Sequence, residues 1–215
     1  MTPATATPLF PLPNVLLYPD AILPLHIFEP RYVQMVEDLL QSPEPDLILG
    51  LLTPGWEDQY FENPPVYPMA GLGRMVQCSR TDNGRFNILV QGMKRVNVVS
   101  EESSDSLYRK VQVKPVEEQK GFDLEEARDL TQRLRRGLIE FADGSLLLPG
   151  KAALGYLADV LLVALPIDVQ LKQQLFSMLN VRDRAVAVLE TLEKTNRRRR
   201  FMQNTQDQAD QAPWN

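Results

Sequence analysis

At 215 residues the chain is long enough for one large domain or two small ones with a real core. Hydrophobic residues at 44% and charged residues at 24% are ordinary for a soluble globular protein, and a net charge of −5 gives no general reason to expect a nucleic-acid partner. A lone cysteine, Cys78, excludes an intrachain disulfide and points to a reducing compartment. No basic-then-apolar leader opens the chain and no apolar stretch reaches the roughly 18 residues of a membrane helix. A cytoplasmic protein without membrane contact is therefore expected.

Residues 1–7 are small and polar and read as frayed. Residues 9–32 hold five prolines, the only histidine and a dense run of β-formers. Proline fixes φ and lacks an N–H, so strands this rich in it belong at edges, bends or bulges. Two short bent strands joined by a turn at Pro19-Asp20 are predicted, with Phe10, Leu12, Val15, Leu17, Ile22, Leu23, Leu25 and Ile27 lining a core. Pro30 suits a first helical position. Tyr32, Met35, Val36, Leu39 and Leu40 then fall on one helical face. Glu29, before that helix, meets the positive end of its dipole; it is not a preferred cap, and pairing with Arg31 or with a strand is its other reading.

Phe10-Pro11-Leu12-Pro13, followed by Leu23-Pro24-Leu25-His26-Ile27-Phe28-Glu29-Pro30-Arg31-Tyr32, resembles the opening signature of the N-terminal, substrate-binding domain of the ATP-dependent Lon proteases. The same signature opens shorter stand-alone proteins without ATPase and peptidase parts.

Residues 46–52 read as a buried strand. Residues 53–68 form a long connection rich in proline, acid and aromatics, among them Trp56, Tyr60 and Phe61; these either fold the loop back onto the strands or present a contact surface. Three strands in meander are then predicted. The first is 69–79, with Gly71 and Gly73 marking a bulge or a close backbone approach. A hairpin turn at Asp82-Asn83-Gly84 leads to the second, 85–91, and a second turn at Gly92-Met93 to the third, 94–99. A last strand covers 107–116. Short strands at this spacing indicate a small closed or nearly closed barrel.

A charged break at 117–121 changes the character, and everything beyond it has helical spacing. One helix carries Leu124, Ala127, Leu130, Leu134, Leu138 and Phe141 and stops at Asp143-Gly144. The next, introduced by Pro149-Gly150, carries Leu154, Leu157, Ala158, Leu161, Leu162 and Leu165. Asp168 reads as the N-cap of a short helix with Leu171, Leu175, Phe176 and Leu179; Asn180 with Asp183 resembles a capping box opening a final helix. Four helices on short connections predict an antiparallel bundle. Arg197, Arg198, Arg199 and Arg200 read as the last turn of that helix, either a solvated face or a basic patch for an acidic partner. Residues 203–215 are Gln-, Asn- and Asp-rich and are assigned to a disordered tail.

Leu157-Ala158-Asp159, Lys172-Gln173-Gln174-Leu175, Asn180-Val181-Arg182-Asp183-Arg184 and Val188-Leu189 extend the resemblance over nearly the whole chain. The resemblance implies an α+β fold: an N-terminal PUA-like β-barrel with one inserted helix over 8–117, then a C-terminal α-helical bundle over 122–202. Where a Lon protease runs on to its ATPase this sequence stops, so a stand-alone form without a peptidase is the expectation.

No catalytic constellation emerges. One histidine and one cysteine cannot build a His/Cys zinc site, and nothing beside Cys78 activates a thiol. The run from Gly144 to Lys151-Ala152 evokes a phosphate loop, but its glycines are wrongly spaced and no hydroxyl follows the lysine. The expectation is a protein that is not an enzyme and takes neither metal nor cofactor. The resemblance implies instead a non-catalytic module binding unfolded or hydrophobic polypeptide for proteolysis or quality control, working with a protease or chaperone in trans. Phe28, Tyr32, Trp56, Tyr60 and Phe61 are the candidate peptide contacts, each of which also reads as a core residue; Pro24, His26, Glu29, Pro30 and Arg31 are the structural motif. RNA binding by a PUA-like module is the alternative. Nine Lys and Arg against thirteen Asp and Glu over residues 1–115 speak against it.

Overall fold

The computed structural model describes residues 6–59, 63–141 and 150–210. The chain divides into two compact units, Met1–Glu117 and Glu118–Asn215.

Among its described residues the first unit holds six strands and an α-helix: β1 (Thr7–Leu12), β2 (Ile22–Ile27), α1 (Pro30–Leu40), β3 (Asp46–Leu51), β4 (Met69–Arg80), β5 (Phe86–Glu102) and β6 (Lys110–Pro115). The strands form one sheet in the order β2-β5-β4-β3-β1-β6. Because β5 also pairs with β6, five of them make a hydrogen-bonded circuit to which β2 is appended. β1 lies parallel to β3, and every other pairing is antiparallel. The register of β5 slips twice against β4 and once against β6; bulges of this kind bend and twist a strand, as closure requires.

Alternation along the strands creates two cores. Leu9, Ile48, Ala70, Val96 and Val111 form one, a single residue from each strand of the circuit. Their neighbours Phe10, Leu47 and Leu49 point to the opposite face and join Tyr32, Met35, Val36 and Leu39 of α1. Each such side chain stabilises the fold by about 1.5–3 kcal/mol. Pro30 occupies the start of α1 as expected. Leu40 does not join the stripe and is half exposed; at 3.6 residues per turn it lies roughly 80° round the helix from Tyr32.

The two short strands expected on either side of Pro19-Asp20 are β1 and β2; they do not pair with each other, β1 joining β3 and β6 and β2 joining β5. One expectation for the strands needs correcting: there is no turn at Gly92-Met93, because β5 runs unbroken through it. The glycine is needed for a different reason. Asp20 (φ 63°) donates its N–H to the Gly92 carbonyl at 2.9 Å, and Gly92 donates to the Ala21 carbonyl at 2.8 Å. Any Cβ on Gly92 would overlap the Tyr18 carbonyl oxygen, and one on Gly71 would overlap that of Leu17. The Asp82-Asn83-Gly84 hairpin is present, with Gly84 at φ 77°.

The second unit holds α2 (Leu124–Phe141), α3 (Leu154–Ala164), α4 (Val169–Phe176) and α5 (Val181–Asp210). Asp123 Oδ1 accepts from the Glu125 and Glu126 N–H groups, and Asp168 Oδ1 from that of Gln170 at 2.7 Å, so both helices have side-chain caps. Leu130, Leu134 and Leu138 of α2, Leu157, Leu161 and Leu162 of α3, Phe176 of α4 and Val188, Leu189 and Leu192 of α5 are buried. Among them lies Arg184, fully buried, with Nε 3.2 Å from Asp159 and Nη2 2.7 Å from Glu118; the angles are poor for hydrogen bonding, so the attraction is chiefly coulombic. Its Nη1 donates to the Met178 carbonyl at 2.6 Å.

Here too the sequence reading needs amendment. α5 continues to Asp210, so residues 203–210 are helical rather than part of a disordered tail, and residues 211–215 lie outside the described residues. Extending an existing helix incurs no nucleation cost, which lets polar residues of middling propensity join it. The arginines at 197–200 therefore sit within α5, not in its last turn. The helix stop at Asp143-Gly144 and the Pro149 boundary lie outside the described residues.

Candidate functional site

β2 is an edge strand, bonded to β5 alone, and Pro24 at its centre suits a position where no ladder N–H is needed. Leu23, Leu25 and Ile27 turn inward, so Ile22, Pro24 and His26 turn outward. Register sets Pro24 beside Leu89 and Gln77, and His26 beside Asn87 and Ser79. These outward rows of β2, β5 and β4 line a shallow groove of about 350 Å³. Its described lining residues are Pro24, Leu25, His26, Gln77, Ser79, Asn87, Ile88 and Leu89, with no lysine, arginine or carboxylate among them.

Large apolar side chains stand exposed on the same strands and just past the end of β2. Phe28 is 58% exposed, Ile22 53% and Val76 50%. His26 Nδ1 lies 2.7 Å from Asn87 Oδ1, and the imidazole lies 6.0 Å from the Phe28 ring at an interplanar angle of 26°. With Nδ1–H donating to Asn87, Nε2 is left as an acceptor facing solvent. The groove thus offers apolar surface, two amides, a hydroxyl and an imidazole, which suits an extended chain needing both apolar cover and backbone hydrogen bonds.

The expected contacts are not brought together. Phe28 stands beside the groove. Tyr32 is 4% exposed and packs on Phe10 with ring centroids 4.4 Å apart, so it anchors α1 and presents no surface. Trp56 is half buried in the connection from β3 to β4 and is not among the lining residues. Tyr60 and Phe61 lie outside the described residues. Of the motif, Pro24 and His26 line the groove and Pro30 starts α1. Glu29 makes no side-chain cap; it pairs with Arg31 at 2.9 Å, while the Arg31 guanidinium sits 4.6 Å over the Tyr32 ring.

Ile22 was expected in the core and proves exposed; Leu89, Asn87, Gln77 and Ser79 were not singled out. The signal for them was that both alternating faces of β2 are apolar, which one buried face does not explain. Reactive chemistry is not assembled here. Cys78 packs against the α1-side core, on the other face of the sheet from His26, and burial pushes its thiol above the usual range. Among the described residues no three His, Cys, Asp or Glu side chains are placed to hold a metal ion, and no helix is long and apolar enough to cross a membrane.

The family model of the ATP-dependent protease La (LON) substrate-binding domain matches residues 6–194. The chain belongs to that family. Relatives include the Lon protease of Anaeromyxobacter dehalogenans, 25% identical over 206 residues, and that of Bacillus thuringiensis, 26% identical over 192. The alignments take in 91% and 82% of this chain but only 23% of either protease, so it spans about a quarter of their length. Two solved structures share the fold of this LON domain. The Lon N-terminal domain protein from Xanthomonas campestris aligns with a TM-score of 0.62 at 21% identity, covering 86% of this chain and 98% of that one. The N-terminal domain of the Mycobacterium avium complex Lon protease aligns at 0.64 and 16%, covering 88% and 98%.

Proposed function

We propose that the chain is a non-catalytic substrate-binding module that captures unfolded or hydrophobic polypeptide on the outer face of β2, β5 and β4. The closed strand circuit is read as a PUA-like barrel, and delivery to a protease or chaperone in trans, as part of cytoplasmic quality control, as the purpose of the capture. The carrying observation is the groove whose described lining carries no charge, together with Phe28, Ile22 and Val76, large apolar side chains left exposed on or next to its strands. RNA binding draws no support from this face, because its lining has no cation to meet a phosphate.

Fluorescence anisotropy with a labelled apolar peptide tests the reading. The full chain binds it, and Phe28→Ser and Ile22→Ser each weaken binding by about tenfold, the size of one lost apolar contact. Both side chains are exposed, so thermal unfolding should be unchanged. Absence of binding at high micromolar peptide refutes the reading.

A further inference from the structure

The helical unit carries a second groove, of about 430 Å³, which the proposed function does not use. Its position follows from the stripe along α5. Val181, Ala185, Val188 and Leu192 repeat at alternating steps of four, three and four and are buried. The same rhythm continues to Thr195, Arg199 and Met202, all of which line the groove. The helix face that is core farther up thus becomes the wall of an open trough. Phe141, Ile167 and Leu171 complete the apolar lining. Met202 is 69% exposed and Leu171 36%, though the spacing of α4 predicts Leu171 to be core.

The charge on the rim is one-sided. Arg198 and Arg199 line the trough, and Arg197 and Arg200 flank them in sequence. Arg197 pairs with Glu193 at 3.6 Å, and the Arg199 guanidinium lies 5.8 Å from the Phe141 ring centroid. Arg198 and Arg200 make no ion pair among the described residues. Asp168 is the only carboxylate among the described lining residues, and its Oδ1 already caps α4. The excess is local: residues 118–215 carry fourteen Lys and Arg against fourteen Asp and Glu.

We propose that this trough docks an acidic, apolar polypeptide segment, with aliphatic side chains on Phe141, Ile167 and Leu171 and flanking carboxylates on Arg198 and Arg199. An arginine fork suits a carboxylate, and a trough of this size takes up a few side chains. Nucleic acid fits less well, because among the described lining residues Phe141 alone offers a ring for a base to stack on. The site lies in the helical unit and does not depend on the groove at β2.

Anisotropy on the full chain tests it with three labelled probes: a leucine pair flanked by glutamates, the same pair flanked by lysines, and oligouridine. The glutamate peptide binds about tenfold tighter than the lysine peptide at low salt, and the preference fades as salt rises. Arg198→Glu with Arg199→Glu inverts the preference, which loss of folding cannot do. Leu171→Ser weakens the glutamate peptide by about tenfold, whereas Phe28→Ser leaves it unchanged and so separates this site from the β2 groove. Equal binding of the two peptides, indifference to the double charge reversal, or displacement of the peptide by oligouridine overturns the proposal.

Discussion

In the strand unit the tightest place is made of side chains that are missing, since Gly71 and Gly92 let the Leu17 and Tyr18 carbonyls press against the sheet. In the helical unit the distinctive feature is a large, charged side chain, Arg184, held in an apolar bundle by Asp159 and Glu118. Sheets satisfy their backbone groups between strands, so closing one tightly asks for bare backbone at the crowded points. Helices satisfy theirs internally and present only side chains, so a bundle is keyed by what those side chains carry. Volume is therefore what breaks the first unit, and uncompensated charge what breaks the second.

Arg184→Met is expected to be the most damaging change, at about 3–5 kcal/mol in urea unfolding, because buried Asp159 loses the guanidinium that balances its charge. Adding Asp159→Leu should restore most of the loss, as the bundle then has no buried charge to compensate. If the double variant is as unstable as the single, the network acts through shape rather than charge and the contrast fails.

Gly92→Ala comes next, at about 3 kcal/mol, since its Cβ meets backbone that cannot rotate away. Gly84→Ala supplies the comparison inside the same unit. It has open space around it but φ 77°, so only backbone strain is felt and a loss of about 1 kcal/mol is expected. A Gly92 variant no worse than the Gly84 variant would show that the Tyr18 segment gives way easily.

These cases also mark where the sequence was legible. Pro30, the α1 stripe apart from Leu40, the Asp82-Asn83-Gly84 turn and the Asp168 cap are written in nearby residues and are read correctly from local physics. Gly92 was misread because a glycine that permits a turn and one that permits close approach look identical until the distant partner, here Tyr18, is known. The β1–β3 and β1–β6 pairings that close the circuit join residues far apart in sequence and leave no periodic trace. Arg184 sits in a helix already rich in arginine, and nothing local distinguishes it from the solvated ones. At the candidate site Ile22 reads as core beside Leu23 and Leu25, and the partners of the outward row of β2 on β4 and β5 depend on register, which needs the fold. Tyr32 illustrates the converse, an aromatic beside the right motif that faces the wrong way.

Asp168→Ala should cost about 1 kcal/mol, the usual value of an N-cap, with α4 as the affected helix. Amide exchange reads it locally: protection in α4 should fall while that of the strand unit holds. A uniform loss across the helical unit would mean that α4 is not an independent opening segment.

Tyr108 gives the smallest effect and the only one with a pH signature. Its hydroxyl donates to Asp38 at 2.8 Å, and burial, followed by that hydrogen bond, pushes its phenol up to about 12. In the unfolded chain a tyrosine titrates near 10. The folded state therefore holds this proton where the unfolded state has released it, so the associated stability is complete below about pH 10 and is lost as pH climbs towards 12. Tyr108→Phe should cost about 1 kcal/mol at neutral pH, because the exposed Asp38 is rehydrated once its donor is gone. Across the alkaline window the gap between variant and parent should shrink, since the variant has no phenol at this position to ionise; the other tyrosines contribute alike to both proteins and cancel in the difference. A gap that stays constant with pH would mean that the hydroxyl is wetter than its place beside α1 implies, and that this corner of the strand unit is not closed to water.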